Sequence, residues 1–248
     1  MKVCVFIDGE NFRHNLSGVF GNDFAKTDYL PQRAKWAEFF DWLVLSAFGE
    51  QAERFRAYWY VIESVSYFPY KIPHPNNYMD ELKHTLKLDK ETWESITKLS
   101  EKKQENRIRQ AHQTLTARKH EFQSRFDGWK IIQDGIALKN KKVEFRRAGS
   151  IFYNLFLKKL GQEKAVDVML ATDLLTLRDI YDGAVLVSGD QDYVPAVRKI
   201  KDFGNSAVNV AFETRDMRLL PSGARFLNIY CDSSITVPYK KLKSFMNI

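Results

Sequence analysis

The sequence predicts an α/β fold whose central sheet is mostly parallel. Residues 2–7 and 184–187 form short, continuous apolar runs, the pattern of strands that are buried on both faces of a parallel sheet. Each run ends in small residues and carboxylates. Strand and helix patterns then alternate along the chain, which is typical of parallel sheets because a crossover must connect neighbouring parallel strands.

A chain of 248 residues allows one large domain, or a domain with an insertion. The net charge of +7 favours anionic partners, nucleic acid first. The two cysteines, Cys4 and Cys231, lack metal-ligand spacing, so we expect no disulfide framework and a reducing cytoplasm. No apolar run approaches the ~20 residues that span a bilayer, and the first residues lack signal-peptide architecture, so we expect no membrane partner.

The first predicted strand carries a carboxylate at its end. Asp8 follows residues 2–7, and Asn11 follows closely enough to share a site. Either residue could instead be only a helix N-cap, and for one strand alone this alternative stays open. The next expected elements are a loop around a short helix over 12–30, an amphipathic helix over 31–48 and an aromatic strand over 56–62.

The chain becomes polar and helix-favouring between residues 77 and 126. We expect helices over about 78–88, 90–99 and 101–126, which would form a helical insertion over 63–126. Apolar positions are sparse in residues 102–113, so this stretch is predicted to face solvent. The alternative is an arm that contacts a long substrate.

A basic segment follows the predicted insertion. Residues 127–164 carry nine basic and four acidic side chains, which is most of the chain's positive excess. Residues 129–147 show strand character with turn-like breaks and predict a hairpin. A basic hairpin beside an acidic site would hold backbone phosphates, although it is also a common solvated sheet edge. The expected nucleic-acid-binding residues here are Lys139, Lys141, Lys142, Arg146 and Arg147.

A strong helical pattern over residues 165–178 contains two aspartates among apolar residues. Asp167 and Asp173 are six positions apart, about 120° around a helix, so they do not share one face. Acids surrounded by apolar residues need a stabilising reason, and we expect Asp167 to enter the site. Asp173 would then support the site or lie on its flank.

The last third of the chain repeats the order of strand and acids. Residues 184–187 lead into Asp190 and Asp192, just before a helix predicted over 193–203. When two acids lie at the end of one strand, ionising both costs free energy unless a cation or hydrogen-bond donors compensate their charges. The remaining expected elements are a strand over 205–212, a turn or short helix over 217–224, a strand over 226–231 and a weakly patterned basic tail over 232–248.

Parallel strands bring their carboxyl ends to one edge of a sheet, so the polar residues at these ends are expected to converge. An all-oxygen set suits Mg²⁺ or Mn²⁺ rather than zinc. The sequence has no HExxH, GxSxG or P-loop pattern, which argues against a zinc protease, a serine hydrolase and a P-loop NTPase. The converging residues would be Asp8, Asn11, Asp167, Asp190 and Asp192.

Three segments in order resemble the NYN-domain proteins, a branch of the PIN-like nuclease superfamily. The resemblance covers residues 1–62 and 127–231, while the predicted insertion over 63–126 is not part of it. The family pattern commonly has glycine where Ala165 stands. The matching segments are residues 5–11 (VFIDGEN), 164–173 (KAVDVMLATD) and 186–195 (LVSGDQDYVP).

This resemblance implies a three-layer α/β/α fold and an endoribonuclease that hydrolyses phosphodiesters with metal-activated water. Its substrate would be single-stranded or looped RNA. Lys164 would contact a phosphate, or would be an ordinary solvated lysine. The implied ligands of Mg²⁺ or Mn²⁺ are Asp8, Asp167, Asp190 and Asp192. The implied accompanying residues of the site are Asn11 and Asp173.

Two other functions stay open. A PIN-like fold could hold RNA or a protein partner without cutting, and the insertion would then serve that partner or a second copy of the chain. A metal-dependent phosphatase of the haloacid-dehalogenase kind would also place Asp8 after its first strand. Its usual second aspartate, two positions later, is replaced here by Glu10.

Overall fold

The computed structural model describes residues 1–25, 29–220 and 225–247. Short 3-10 turns lie at Arg178–Ile180 and Gln191–Tyr193. The helices and strands are, in chain order, β1 (Lys2–Asp8), α1 (Gly9–Phe20), α2 (Asn22–Ala25), α3 (Trp36–Phe48), β2 (Glu53–Phe68), α4 (Met79–Leu86), α5 (Lys90–Thr97), α6 (Glu101–Lys139), β3 (Val143–Asn154), β4 (Lys159–Lys164), α7 (Val166–Thr176), β5 (Gly183–Val187), α8 (Val194–Asp202), β6 (Ser206–Glu213), β7 (Leu219–Leu220), α9 (Arg225–Tyr230), β8 (Ser233–Val237) and α10 (Tyr239–Met246).

The chain divides into two compact units. The first comprises Met1–Val61, Trp129–Ala148 and Ala165–Ile248, and the second comprises Ile62–Gly128 and Gly149–Lys164. Three elements, β2, β3 and α6, contribute residues to both units. The second unit therefore contains the predicted insertion together with residues 149–164, which the sequence had grouped with the main domain.

Parallel pairing around β1 forms the centre of the first unit. β1 pairs with β2 on one side and with β5 on the other, and β5 pairs with β6, all in parallel. β8 is parallel to β6, whereas β7 is antiparallel to it. Ile7 is level with Val187, so β1 and β5 end at the same edge, and Asp8 is level with Tyr60 of β2, which continues beyond it. The predicted α/β fold with a mostly parallel sheet is confirmed.

Alternate residues of β1 face two different helical layers. Val3, Val5 and Ile7 belong to the main apolar core, together with residues of α1, α3 and α10. Phe6 faces the other layer, where its ring packs edge-on against Tyr181 with 5.4 Å between centroids. In that layer α7 contacts both β1 and α8. Side chains on a strand alternate in direction, so one continuous apolar run serves both layers of the α/β/α arrangement.

The second unit is mainly helical. Its helices bury Leu82, Ile96 and Ile108, while most charged side chains in residues 102–113 are exposed, as predicted. Phe122 stacks on Tyr153 with ring centroids 4.0 Å apart, and β3 pairs antiparallel with β4. Among the described helices, not one combines the length and the apolarity that crossing a membrane requires.

The predicted hairpin over residues 129–147 is wrong. The first half of this stretch is helical, because α6 continues to Lys139. Trp129, Ile132 and Ile136 recur at spacings of three and four, and all three pack on the main core. Burial along one helix face therefore outweighs the strand preference of the local isoleucines.

Three other predicted elements differ from the structure. The short helix expected within the loop over 12–30 is the longer α1, which begins at Gly9 and runs through Phe20, and the strand expected over 226–231 is α9. The expected tail over 232–248 is instead strand β8, parallel to β6, and helix α10, whose Leu242, Phe245 and Met246 are buried. Their spacing of three and one places them on one helix face. Residues 26–28, and 221–224 of the predicted turn, lie outside the described residues.

Candidate active site

Asp8 ends β1 and lies at the carboxyl edge of the sheet. Its side chain accepts hydrogen bonds from the Asn11 amide at 3.0 Å and from Ser188 Oγ at 2.9 Å, and only 4% of the residue is exposed. The first bond makes Asp8 the N-cap of α1, so the capping interpretation is correct as well. Burial raises the pKa of the Asp8 carboxyl to about 6, and the charge of Asp167 adds to the rise.

Asn11 connects α1 to the loop that follows β5. Its Oδ1 accepts hydrogen bonds from the Gly189 amide at 3.1 Å and from Asn15 Nδ2 at 3.1 Å. Because β5 is the direct neighbour of β1, this contact fixes two adjacent strand ends against each other. Asn11 therefore orders the backbone that carries Asp8 and Asp190.

Asp190 and Asp192 lie in the loop after β5. Asp190 caps the 3-10 turn by accepting a hydrogen bond from the Asp192 amide at 2.9 Å, and its own amide donates to Ser188 Oγ at 3.1 Å. Asp190 is half-buried and Asp192 is exposed. The short turn thus presents one carboxylate beside the strand ends and one towards solvent.

Asp167 approaches Asp8 from the first turn of α7. Tyr193 Oη donates a hydrogen bond to Asp167 Oδ1 at 2.8 Å and lies 3.3 Å from Asp8 Oδ2. Burial first, and then the charges of Asp8 and Asp167, raise the pKa of Tyr193 far above its usual range, so the hydroxyl keeps its proton. The residue before α7, Ala165, has φ 75°, a left-handed conformation that glycine adopts most easily.

Asp173 belongs to a different cluster of charges. It accepts a hydrogen bond from Tyr60 Oη at 2.9 Å and forms a close ion pair with the Arg146 guanidinium. The same guanidinium stacks over the Tyr58 ring, 4.0 Å from its centroid, and bonds to Glu144 at 3.1 Å. The two aspartates of α7 therefore have separate partners, as their angular separation on the helix predicts.

The basic residues expected to bind phosphate are not gathered at one place. Lys142 Nζ donates a hydrogen bond to the Arg54 carbonyl at 3.1 Å, and Arg54 is level with Val3 near the start of β1. Arg54 Nη1 donates to the carbonyls of Lys141 and Lys142, so these two residues lie nearer the amino edge of the sheet than the end at which Asp8 stands, and Lys139 ends α6.

The remaining three cations have individual surroundings. Arg146 is engaged with Asp173 as described. Arg147 bonds to Gln133 Oε1 at 3.0 Å and to Asp134 Oδ1 at 2.6 Å. Lys164 is exposed at the end of β4, in the second unit. Phosphate binding by the six predicted cations stays a prediction.

Glu10 stands two positions after Asp8, where the phosphatase alternative expects a second aspartate. It lies in the first turn of α1, forms an ion pair with Arg13 at 2.6 Å and lies 3.1 Å from His14 Nε2. Although burial acts to raise the pKa of Glu10, the hydrogen bond from Arg13 leads the contributions that lower it below its usual range. Its charge is thus balanced by neighbours on its own helix.

The residues present fit a divalent ion. A carboxylate oxygen of Asp8 and one of Asp167 lie within 4.8 Å of each other. Two oxygens that share one Mg²⁺ at about 2.1 Å are about 3–4 Å apart, so these carboxylates need little or no movement to share it. The donor set consists of carboxylate oxygens, which Mg²⁺ and Mn²⁺ prefer.

Two residues of the site were not identified from the sequence. Ser188 and Tyr193 flank the predicted acids Asp190 and Asp192, yet the sequence pattern predicts only a turn and the start of a helix at these two positions. Both are buried, and both hydroxyl oxygens lie within 3.3 Å of Asp8 Oδ2. The available signal was a hydroxyl on each side of the acidic pair, adjacent to an apolar strand.

A model of the family described as "NYN domain" matches residues 79–229, more than half of the chain. The matched segment contains Asp167, Asp190 and Asp192, and it begins after Asp8. A crystal structure of a protein of unknown function from Vibrio parahaemolyticus is similar at 12% identity and a TM-score of 0.43, over 95% of this chain and 92% of that one. No curated protein sequence matches the chain.

Proposed function

The chain belongs to the NYN-domain family of the PIN-like nuclease superfamily, and from this premise we propose that it is a metal-dependent endoribonuclease. The observation that carries the proposal is the approach of two acids from different elements. Asp8, at the end of β1, and Asp167, in the first turn of α7, come within 4.8 Å of each other. Like charges do not come together in a buried site without compensation, and a divalent cation is the compensation that oxygen ligands favour.

The acids have distinct tasks in this proposal. Asp8 and Asp167 would hold Mg²⁺ or Mn²⁺, with Asp190 completing the set and Asp192 contributing from the exposed side. The ion would supply Lewis-acid stabilisation of the phosphate and a more acidic water. Ser188 Oγ orients the Asp8 carboxylate through its hydrogen bond at 2.9 Å, and Asn11 holds the loop that carries Asp190.

We propose single-stranded or looped RNA as the substrate. The chain's excess of positive charge favours a polyanion, and an edge of the sheet open to solvent at Asp192 would admit a flexible backbone more readily than a rigid duplex. Cys4 and Cys231 are both free and buried, which supports action in a reducing compartment such as the cytoplasm.

The first prediction concerns cleavage itself. The purified chain is expected to cleave mixed single-stranded RNA with Mn²⁺ or Mg²⁺ and not with EDTA. Asp190→Asn is expected to lower the rate by about a hundredfold, because each 1.36 kcal/mol lost at the transition state is tenfold and a carboxylate at the ion supplies several. Product formation on denaturing gels measures the rate.

Asp182→Asn is the matched control for this experiment. Asp182 precedes β5 at the opposite end from Asp190, where it accepts a hydrogen bond from the Lys2 amide at 2.7 Å, so cleavage should be unchanged. Equal rates for the wild type and Asp190→Asn would contradict the proposed site. RNA that stays bound in EDTA while no wild-type product forms in any metal would support the non-cutting binding module instead.

The second prediction separates Asp173 from the ion site. Asp173→Asn is expected to lower the free energy of unfolding by about 2 kcal/mol, because the largely buried Arg146 loses a charged hydrogen-bond partner. Cleavage should remain well above that of Asp190→Asn. Tyr60→Phe removes the other bond to Asp173 and should cost about 1 kcal/mol. Urea unfolding measures both, and an Asp173→Asn chain of wild-type stability without activity would place Asp173 in the site.

A further inference from the structure

The hydroxyl of Tyr193 lies between the two acids of the candidate ion site. Tyr193 Oη is 2.8 Å from Asp167 Oδ1 and 3.3 Å from Asp8 Oδ2. These acids belong to elements far apart in the chain, a strand end and a helix start. One hydroxyl on a third element, the 3-10 turn after β5, thus contacts both.

The position of this hydroxyl is fixed by packing and by the backbone. The Tyr193 residue is fully buried, and Asp190 caps the turn that carries it through the Asp192 amide. A phenylalanine would fill the same apolar space without bringing a polar atom into the interior. A buried hydroxyl costs free energy unless it is hydrogen-bonded, so the oxygen at this position calls for partners, and the two carboxylates are those partners.

The Tyr193 hydroxyl has a single proton, so it donates a hydrogen bond to one of the two carboxylates. The shorter contact, to Asp167 Oδ1, takes the proton, and Asp8 Oδ2 already receives a hydrogen bond from Ser188 Oγ at 2.9 Å. Within the described part of the chain, the Asp167 carboxylate accepts a hydrogen bond from Tyr193 and from no other residue. Without this bond the carboxylate would be free to rotate about its side-chain torsions on the first turn of α7.

We propose that Tyr193 is a positioning residue of the ion site, whose O–H orients the Asp167 carboxylate towards Asp8 so that one divalent ion can bind both. The inference rests on the proposed function, since it assigns a role within the same ion site. Tyr193 itself is not a ligand. Its effect is on how well the ligand set is arranged before the ion arrives, as hydrogen-bond partners of ligands do in metal sites generally.

The test is a direct measurement of Mn²⁺ binding by calorimetry on the metal-free full chain. Tyr193→Phe removes one oxygen atom and is expected to weaken Mn²⁺ binding by about 10–100-fold, the usual effect of removing a partner of a ligand. Tyr181→Phe is the matched control. It also removes a buried tyrosine hydroxyl, which there donates to the Leu174 carbonyl at 2.6 Å, so it should leave the Mn²⁺ affinity unchanged.

Thermal unfolding with and without Mn²⁺ gives a second readout that does not depend on equal folding. The rise in Tm produced by Mn²⁺ should shrink in Tyr193→Phe and stay at the wild-type value in Tyr181→Phe. Equal Mn²⁺ affinities for wild type and Tyr193→Phe, with binding lost in Asp8→Asn, would overturn this inference alone. Absence of any Asp8-dependent binding in the wild type would overturn the ion site and the inference together.

Discussion

Asp8→Asn is expected to abolish metal-dependent RNA cleavage while making the metal-free chain more stable at pH 7.5. The loss of activity should reach a thousandfold or more, since about 4 kcal/mol of charge stabilisation at the ion corresponds to that factor. The fold should persist, because asparagine is as good an N-cap as aspartate and can still accept from the Asn11 amide. The side-chain amide nitrogen introduced at position 8 would face the hydroxyl oxygens of Ser188 and Tyr193, and both oxygens are able to accept a hydrogen bond.

The gain in stability follows from the raised pKa of Asp8. With an ordinary value of 3.8 and a folded value of about 6, the folded chain holds this proton more tightly than the unfolded chain does. The stabilisation from the protonated group is therefore complete below pH 3.8 and is lost as the pH rises through 6. A shift of about 2 pKa units corresponds to about 3 kcal/mol, the upper limit of what Asp8→Asn recovers at pH 7.5.

Urea unfolding in EDTA at pH 4 and pH 7.5 measures this effect. The wild type and Asp8→Asn should agree at the lower pH and differ at the higher one. Asp232→Asn is a control of opposite sign: burial acts to raise the pKa of Asp232, but the Ala207 amide and Lys201 together hold it below its usual range. That variant should be less stable than the wild type at pH 7.5. An Asp8→Asn chain less stable than the wild type at pH 7.5 would contradict the account.

The sequence predicts short strands reliably where both faces of the strand are buried. Residues 3–7 and 184–187 are apolar throughout, as a parallel strand covered on both faces requires. Residues 129–133 were misjudged because isoleucine and tryptophan favour strands locally, whereas the packing of Ile132 and Ile136 on the core depends on elements far along the chain. The segment after Cys231 was missed for the same reason, since β8 exists only through its pairing with β6.

The candidate site shows a similar division. The position of Asp8 follows from a rule about strand ends, and the 120° separation of Asp167 from Asp173 follows from helix geometry. Phosphate binding by Lys139 was predicted by counting charges along the sequence, and such a count does not say at which edge of the sheet a side chain lies. Tyr193 could not be assigned, because its role depends on two carboxylates that only the folded chain brings together.

Gly9 provides the strongest expected effect on folding next to the site. A Cβ at this position would lie 2.3 Å from the Tyr60 carbonyl oxygen and 2.9 Å from Val61 Cγ1. The first of these is a backbone atom of β2, which is held in register with Asp8, so it has no room to move aside. Glycine therefore follows Asp8 because two backbones approach closely there, and α1 can begin immediately after the strand.

Gly9→Ala is expected to lower the free energy of unfolding by about 3 kcal/mol or more, the upper range for overpacking, and the Tm by roughly 6–12 °C. Cleavage should fall as well, because relieving the clash displaces the strand end that carries Asp8. Gly135→Ala is the matched control: this glycine lies within α6 with open space around its Cβ position, so the variant should gain about 1 kcal/mol of helix stability. Calorimetric scans of both variants decide the matter. Wild-type stability of Gly9→Ala would mean that α1 and β2 are farther apart than the structure places them, and the position of Asp8 would then need revision.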